Sequence, residues 1–222
     1  LSNALRGDLG PSLTDRDWTV NAILAQALPV SLTLGFGALI LALVFGVTAG
    51  VIGAMHRGSS IDTATLGVAI VGISLPTFVT GVVLRLVMGM WLDLLPSQGW
   101  GTPPQMILPM VTLSLPFAAY IARLTRMGMI DVLSSDFVRT ARAKGVDNRR
   151  VVMVHALKVA FLPVLSFLGP AAAAAMTGSF VVEQVFNVPG MGAHFVSAVL
   201  NGNLFLIMGT VQNAMNLRNV EA

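Results

Sequence analysis

The sequence contains no cysteine and few charged residues, and each shortage excludes a class of protein. Without cysteine the chain can form neither a disulfide framework nor a thiolate metal site. Charged residues make up 10% of the chain, far below the roughly 25% that is usual in soluble domains. Hydrophobic residues make up 55%. The composition is therefore that of a membrane protein.

Lysine is also scarce, and its two positions exclude a nucleotide-binding loop. Lys144 is followed by glycine and Lys158 by valine, so no G-x-x-x-x-G-K-[ST] loop is present. No H-E-x-x-H pattern occurs either, and His56, His155 and His194 lie far apart in the sequence. We therefore expect that this chain is not an enzyme and binds no cofactor or metal, and that any ATP is hydrolysed by another chain.

The charged residues occur in blocks that are separated by long apolar stretches. No charge lies between Asp17 and Arg57, and four later gaps are also long enough for the roughly 20 residues that cross a bilayer. A spanning backbone must satisfy its own hydrogen bonds, and the ten-residue alternation of a barrel is missing, so each stretch is predicted to be a helix. The predicted fold is all-α, a polytopic transmembrane helical bundle. Its five spans are expected near residues 27–54, 63–92, 106–125, 159–182 and 203–217.

The distribution of lysine and arginine predicts the orientation of these spans. Arg57, eight residues within 123–158, and Arg218 fall on one side of the membrane, which is therefore expected to be the cytoplasmic side. The loop 183–202 has no lysine or arginine, and this loop and the segment 1–26 are predicted to be extracytoplasmic. Because the chain would then begin outside without an initiating methionine, we interpret it as a fragment that lacks an earlier helix.

Small residues recur at four-residue intervals in the first predicted span. Gly46 and Gly50 form a small-xxx-small pair, which Ala49 and Gly53 repeat one register further on. Such a stripe allows the backbone of a neighbouring helix to approach closely. It predicts a packed bundle and does not discriminate between functions.

The longest predicted cytoplasmic connection, 126–158, is expected to contain a short surface helix. Ser135 or Asp136 is suited to the start of this helix, and the stretch 137–144 is a good helix former. Gly145 is suited to the left-handed position that ends a helix. The sequence therefore predicts a capped helix between positions 135 and 145.

This helix is predicted to carry an apolar edge beside basic residues. Phe137, Val138 and Ala141 share one face, while Arg142 and Lys144 near the C-terminal end favour the helix dipole. An apolar edge on a basic cytoplasmic helix is typical of a docking surface. The alternative is an amphipathic helix that lies on anionic lipid.

The residues of this connection resemble the EAA loop of ABC importer permeases. The matching residues are Asp136, Phe137, Val138, Arg139, Thr140, Ala141, Arg142, Ala143, Lys144 and Gly145, followed by His155-Ala156-Leu157-Lys158 and Leu162-Pro163. More narrowly, the chain looks like the B-type permease of dipeptide, oligopeptide and nickel importers. That branch is similar to this chain at Arg139 and Lys158, where the general pattern has glutamate and proline.

Further matches to the same branch occur in the same order along nearly the whole chain. They are Gly7-Asp8-Leu9-Gly10 with Ser12, Leu28-Pro29 with Ser31-Leu32, Ser74-Leu75-Pro76-Thr77-Phe78, Val182-Glu183-Gln184-Val185-Phe186-Asn187, and Pro189-Gly190-Met191-Gly192. The resemblance implies a permease of about six spans in a bacterial-type plasma (inner) membrane. By this comparison the present sequence is truncated at both ends.

The resemblance also implies partners and a role for the loop. In this family the loop forms a coupling helix that seats in a cleft of the ATPase, so Asp136, Phe137 and the stretch Arg139 to Gly145 would carry that contact. The implied partners are a second homologous permease subunit, two cytoplasmic ATPase subunits that hold ATP and Mg²⁺, an extracytoplasmic substrate-binding protein and membrane lipid, with no nucleic acid. The cargo stays open among a dipeptide, a longer peptide, glutathione and chelated nickel.

Four residues outside the loop are candidates for a translocation path or gate. Apart from Arg123 at the cytoplasmic end of 106–125, Arg85 is the one basic residue within a predicted span. Near the outer interface it would reach the water by snorkelling. Pro163 and Pro170 predict a kinked helix of the kind that often lines a cavity. Glu183 begins the loop 183–202, which is either an outer gate, a contact for the binding protein or a plain re-entrant loop.

A passive channel or membrane scaffold is the alternative function from a different class. The absence of any catalytic group in the sequence is compatible with it. This alternative requires transport without ATP, or no transport at all, and so differs from an importer permease in a measurable way.

Overall fold

The computed structural model describes residues 19–177, 179–200 and 206–212, and every regular element in these ranges is helical. In chain order the elements are α1 (Val20–Met55), α2 (Ser60–Ser74), α3 (Thr77–Leu84) with a π-helical continuation (Arg85–Trp91), α4 (Pro103–Leu133), α5 (Asp136–Ala143), α6 (Asn148–Arg150), a π-helical stretch (Val151–Ala156), α7 (Leu157–Ala160), α8 (Leu162–Thr177), α9 (Phe180–Phe186) and α10 (Met191–Leu200). Residues 206–212 are also helical. The predicted all-α fold is confirmed.

Within the described ranges, two helices, α1 and α4, are each long and apolar enough to cross a membrane as a single helix. They contain the predicted spans 27–54 and 106–125. Two further spans become possible if each of two bent helix pairs crosses as one unit, which gives up to four by length and composition. The predicted fifth span, 203–217, lies mostly outside the described residues.

The two bent pairs show that the predicted spans 63–92 and 159–182 are not continuous helices. In the first pair, α2 ends before Pro76, and Leu75 is extended (φ −81°, ψ 128°), because proline disfavours the helical conformation in the preceding residue. The second pair is bent by 52° at Phe161, between α7 and α8. Pro163 lacks the N–H that would continue the helical ladder there, whereas α8 runs through Pro170 without a break.

Three segments that the sequence analysis treated as non-spanning connections contain regular structure. Helix α1 begins at Val20, inside the predicted segment 1–26, and α4 extends to Leu133, inside the connection 126–158. The segment 183–202 holds the end of α9 and all of α10. Helix α9 ends at Asn187, which adopts a left-handed conformation (φ 54°), so the Pro189-Gly190 pair marks only a short connection between two helices.

The chain divides into two compact units, and the division falls inside α1, α4 and α8. Unit I comprises residues 1–38, 77–113 and 172–222, and unit II comprises residues 39–76 and 114–171. In unit I the first turns of α1 pack against α10 around a cluster of buried apolar side chains. Its members are Val20, Ile23, Leu24, Ala27, Met191, Ala198 and Leu206.

Unit II is built around the second half of α1 and the C-terminal part of α4. One buried cluster contains Ala42, Ile121 and Val164. A second buried cluster joins α1 and α4 to the π-helical stretch Val151–Ala156. Its members are Ala54, Met129, Val152, Ala156 and Ala160.

Within unit II the predicted glycine stripe on α1 contacts the backbone of α4. A methyl group added at Gly46 would lie 2.7 Å from the carbonyl oxygen of Ala118, and one added at Gly50 would lie 2.6 Å from that of Ala122. Neither position has room for a side chain. The prediction of close helix packing at this pair is therefore confirmed, and its cause is direct backbone approach.

Replacing Gly50 by alanine is expected to destabilise the protein by about 1–3 kcal/mol, because the new methyl group forces α1 away from α4. The matched control is Gly67→Ala in α2, where an added methyl group meets no atom within 4 Å. That change is expected to be neutral or stabilising by up to about 1 kcal/mol, from helix propensity. Thermal unfolding of the purified protein in detergent measures both. Equal unfolding temperatures for the two variants would contradict the packing described above.

Candidate functional site

The loop helix α5 ends in a Schellman motif, which explains the glycine at its C-terminal end. Gly145 has φ +76°, its N–H donates to the carbonyl of Arg142 (2.9 Å), and the N–H of Val146 donates to that of Ala141 (3.2 Å). These two bonds satisfy carbonyls that the last helical turn leaves unpaired. The predicted left-handed position of Gly145 is confirmed, and it fixes the direction in which the chain leaves the helix.

The start of α5 differs in detail from the prediction. Ser135 occupies the capping position, but its hydroxyl donates to the carbonyl of Val132 (2.6 Å) and accepts no bond from the helix. Asp136 lies in the first turn, where its charge favours the helix dipole. The hydroxyl is used to close the preceding turn because α4 runs to Leu133, only two residues before the capping position.

Only one side chain of α5 is fully buried. Val138 is 0% exposed, Ala141 is half-buried, and α5 packs against the π-helical stretch Val151–Ala156. Phe137 is 46% exposed. The predicted apolar edge is therefore divided, because Val138 and Ala141 hold α5 on unit II and Phe137 remains available to a partner.

The other predicted contact residues of α5 form one exposed surface with a basic character. Its members are Asp136, Arg139, Thr140, Arg142, Ala143, Lys144 and Gly145. The Arg139 guanidinium lies 3.4 Å from the Asp136 carboxylate, and both side chains are largely in solvent, so this ion pair adds little stability. Arg149 and Arg150 extend the positive charge beyond α5, and both are exposed. We call this surface the α5 surface.

Of the four predicted path residues, Arg85 and Glu183 belong to unit I, and Pro163 and Pro170 belong to unit II. Arg85 lies in the π-helical continuation of α3, where its guanidinium donates to the carbonyl of Val185 (2.7 Å). Sequence reasoning missed this contact, which ties α3 to α9 within unit I. Pro163 and Pro170 are exposed on α8. Their roles as path or gate residues remain predictions.

Glu183 is the centre of a buried hydrogen-bond network in unit I. It is 0% exposed, and its Oε1 accepts from the hydroxyls of Ser31 (2.7 Å) and Ser179 (2.6 Å). Its Oε2 accepts from the N–H of Gly192 (2.7 Å) at the start of α10, and the N–H of Met191 donates to the Ser31 hydroxyl (2.9 Å). The carboxylate therefore joins α1, α9 and the N-terminal end of α10, where the helix dipole favours a negative charge.

A second carboxylate, Asp62, is buried in unit II and carries an ion pair that the sequence analysis did not predict. Its oxygens accept from Nε and NH2 of Arg126 (2.6 and 2.8 Å) and from the N–H of Gly58 (2.9 Å). A signal was present, because Asp62 and Arg126 lie at the cytoplasmic ends of two neighbouring predicted spans. In a chain with so few charges, that shared location indicates a pair.

The hydrogen bonds of Glu183 and Asp62 hold helices in position. Within the described ranges no cluster of three or more histidine, aspartate or glutamate residues is arranged to hold a metal ion. Glu183 and Asp62 are acceptors of short hydrogen bonds from neighbouring groups. Exposed charged residues are concentrated on the α5 surface.

Comparison with known proteins identifies similar sequences over most of the chain. Residues 42–215 match the family described as "Binding-protein-dependent transport system inner membrane component". The oligopeptide transport system permease protein OppB of Salmonella typhimurium is 46% identical over 94% of this chain and 69% of its own length. The dipeptide transport system permease protein DppB of Bacillus subtilis is 39% identical over 95% of this chain and 68% of its own length.

Two solved structures have a similar fold at low sequence identity. The MetNI methionine ABC transporter in an inward-facing conformation matches with a TM-score of 0.74 and 17% identity, over 90% of this chain and 91% of that one. An amino acid ABC transporter with histidines matches with a TM-score of 0.67 and 16% identity, over 90% and 89% of the two chains. At this identity the likeness concerns the fold.

Replacing Glu183 by glutamine is expected to destabilise the protein by about 1–3 kcal/mol, because the amide nitrogen cannot accept the hydrogen bonds that one carboxylate oxygen accepts. The control is Asp131→Asn, the same carboxylate-to-amide change at an exposed position of α4, which is expected to stay within about 0.5 kcal/mol. Thermal unfolding of the purified protein in detergent compares them. A Glu183→Gln protein as stable as the control would argue against a structural role of the network.

Proposed function

This chain belongs to the family of binding-protein-dependent transport system inner membrane components, and from that premise we propose that it is the permease subunit of an ATP-driven peptide importer. Similar proteins named oligopeptide and dipeptide permeases, with identities of 39–46% over more than nine-tenths of the chain, support peptides as the cargo. An integral location in a bacterial inner membrane agrees with the long apolar helices α1 and α4.

The observation that best supports coupling to an ATPase is the construction of the α5 surface. Helix α5 is short, is attached through Val138 and directs most of its remaining side chains outward. The Schellman motif at Gly145 fixes its end, so the helix presents a defined shape to a partner. A cleft of an ATPase subunit with acidic and apolar walls would complement the arginines and Phe137.

ATP hydrolysis is assigned to partner subunits in this proposal. The chain has no phosphate-binding loop, and an importer of this kind needs two ATPase subunits that bind ATP and Mg²⁺. A second permease subunit would complete the membrane path, and an extracytoplasmic binding protein would deliver the peptide. ATP-driven closure of the ATPases would move α5 and shift the spans between outward and inward access.

The segment that Glu183 organises is proposed to face the delivery side. The carboxylate holds α9 and α10 together and ties both to α1 through Ser31. A helical pair fixed in this way is suited to receive a binding protein or to act as an outer gate. Arg85 supports the same segment, because it binds the carbonyl of Val185 on α9.

The decisive experiment is co-purification of the affinity-tagged chain from its native membrane in mild detergent. We expect a second permease and ATPase subunits to remain bound, and Ala143→Glu to lower the recovered ATPase about tenfold, which corresponds to a modest loss of binding free energy. Ala143 is exposed within α5, so the substituted side chain meets the partner and leaves the fold intact. Uptake of a labelled peptide should fall in parallel.

The matched control is Ser60→Glu, which adds the same charge at an exposed residue in the first turn of α2. This change should leave ATPase recovery and uptake at the unsubstituted level. Normal ATPase recovery with Ala143→Glu would contradict docking at the α5 surface and favour a helix lying on lipid. Peptide transport that does not need ATP, by the unsubstituted assembly, would favour the passive channel.

A further inference from the structure

The buried ion pair between Asp62 and Arg126 has the geometry of a rigid connection. Arg126 approaches the carboxylate with two nitrogens, Nε to Oδ1 (2.6 Å) and NH2 to Oδ2 (2.8 Å). Such a two-point contact fixes orientation as well as distance. Asp62 is 4% exposed, and the Arg126 side chain 19%. The N–H of Gly58 donates to the same carboxylate, so both oxygens are satisfied.

Near its start, helix α2 is joined to the rest of unit II by this pair and by a close approach of α1 at Gly53, where an added methyl group would lie 2.8 Å from the Thr65 hydroxyl. Of its fifteen residues only Asp62 and Ala69 are buried, and one of the two is charged. Val68, Ile70 and Val71 are 56–74% exposed, so the apolar side chains of α2 mostly face away from the unit. Close packing to α4 occurs at Gly72, where an added methyl group would lie 3.2 Å from the Ala119 side chain. Hydrophobic burial therefore contributes little to the position of the helix start.

Arg126 lies on the part of α4 that leads directly into α5. Helix α4 continues unbroken from Arg126 to Leu133, and α5 begins at Asp136. Met129, one turn beyond Arg126, is buried against the same π-helical stretch, Val151–Ala156, that contacts α5. The end of α4, the π-helical stretch and α5 therefore form one packed group, and the ion pair attaches α2 to it.

Stability alone does not explain a buried ion pair in a chain with so few charges. Taking two charges out of water is expensive, and well-packed apolar residues often hold two helices equally well. What the pair supplies and apolar contacts do not is a defined orientation. Its location on the part of α4 that leads into α5 is therefore suited to a mechanical role.

We infer that Asp62 and Arg126 are positioning residues that make α2 move with α4 when an ATPase displaces α5. This inference rests on the proposed function, in which α5 receives the ATPase. Breaking the pair should leave the subunits assembled and ATP hydrolysis unchanged. Less peptide should then be transported for each ATP hydrolysed. The quantity that reports this coupling is the number of peptides transported per ATP hydrolysed.

The first test measures this ratio in the complete transporter, reconstituted in vesicles with its binding protein. Arg126→Gln and Asp62→Asn should each lower it about tenfold, within the range of coupling between residues in direct contact. The double variant should recover to within about threefold, because no unpaired buried charge remains and the two amides can hydrogen-bond. Arg123→Gln, which removes an exposed arginine one turn earlier on α4, should leave the ratio unchanged.

Each other result of this test overturns the inference. A merely structural role would lower the yield of the transporter and leave the ratio of the assembled protein unchanged. If the ratio in the double variant falls by as much as the two single changes combined, the residues do not act as a pair. Loss of ATPase subunits from Arg126→Gln would mean that the pair builds the docking surface. If the unsubstituted assembly binds no ATPase, the proposed function itself fails, which is a distinct result.

A second measurement tests the concerted movement directly, and the absence of cysteine in this chain makes it practical. Spin labels are attached through cysteines placed at the exposed positions Ile61 in α2 and Met127 in α4, in an assembly whose partner subunits lack reactive cysteines. Their separation should change by less than about 2 Å, the size of an ordinary helix adjustment, between the ATP-free and ATP-bound states. The distribution of this separation should broaden in the Arg126→Gln variant. A larger shift in the unsubstituted protein would overturn the inference.

Discussion

A charge that is buried in a protein of this composition must have its partner supplied by the chain itself. Asp62 and Glu183 meet this requirement in two ways. Asp62 accepts from a guanidinium and a backbone N–H, whereas Glu183 accepts from two hydroxyls and the first turn of α10. Because an unsatisfied buried carboxylate is expensive, each network fixes the position of every element that contributes a donor.

The two networks differ in what they fix. Glu183 joins three helices of unit I through two short hydroxyl side chains and a backbone N–H, so its removal leaves hydroxyl and amide groups without acceptors. Asp62 joins one weakly buried helix to α4 of unit II through a single long side chain. The Glu183 network therefore belongs to a rigid core. The Asp62–Arg126 pair instead connects α2 to α4, which we infer α2 to follow.

Close helix approach is the second constraint that shapes unit II. The missing side chains at Gly46 and Gly50 allow α1 to contact the backbone carbonyls of α4 without any polar side chain. Membrane helices cannot rely on hydrophobic driving force against lipid, so such contacts carry much of the association. The α1–α4 pair is also the support for the π-helical stretch, against which α5 packs.

The sequence predicted the helical class, two of the spans, the glycine contact and the left-handed end at Gly145, because each depends on local pattern. It predicted a continuous helix at 63–92, where the structure has a break, since the hydropathy of a stretch is insensitive to the conformation before Pro76. In 159–182 the kink predicted from Pro163 corresponds to the bend of 52° at Phe161, whereas α8 runs through Pro170 without a break. The bond between Ser31 and Glu183 and the pairing of Asp62 with Arg126 join residues 152 and 64 positions apart, and no periodicity records them.

The exposure of α5 can also be explained by how the helix is packed. The proposed docking of α5 in another protein requires an exposed surface, and only Val138 of this helix is fully buried. The C-terminal end of the helix is secured by backbone bonds. Such a helix transmits force only if the residues behind it are stiff. The cluster around Met129 supplies that stiffness, and the bidentate contact of Arg126 with Asp62 extends it to α2. On this view the chain needs no catalytic group of its own, because its contribution to transport is the mechanical connection between a docking helix and the spans that it moves.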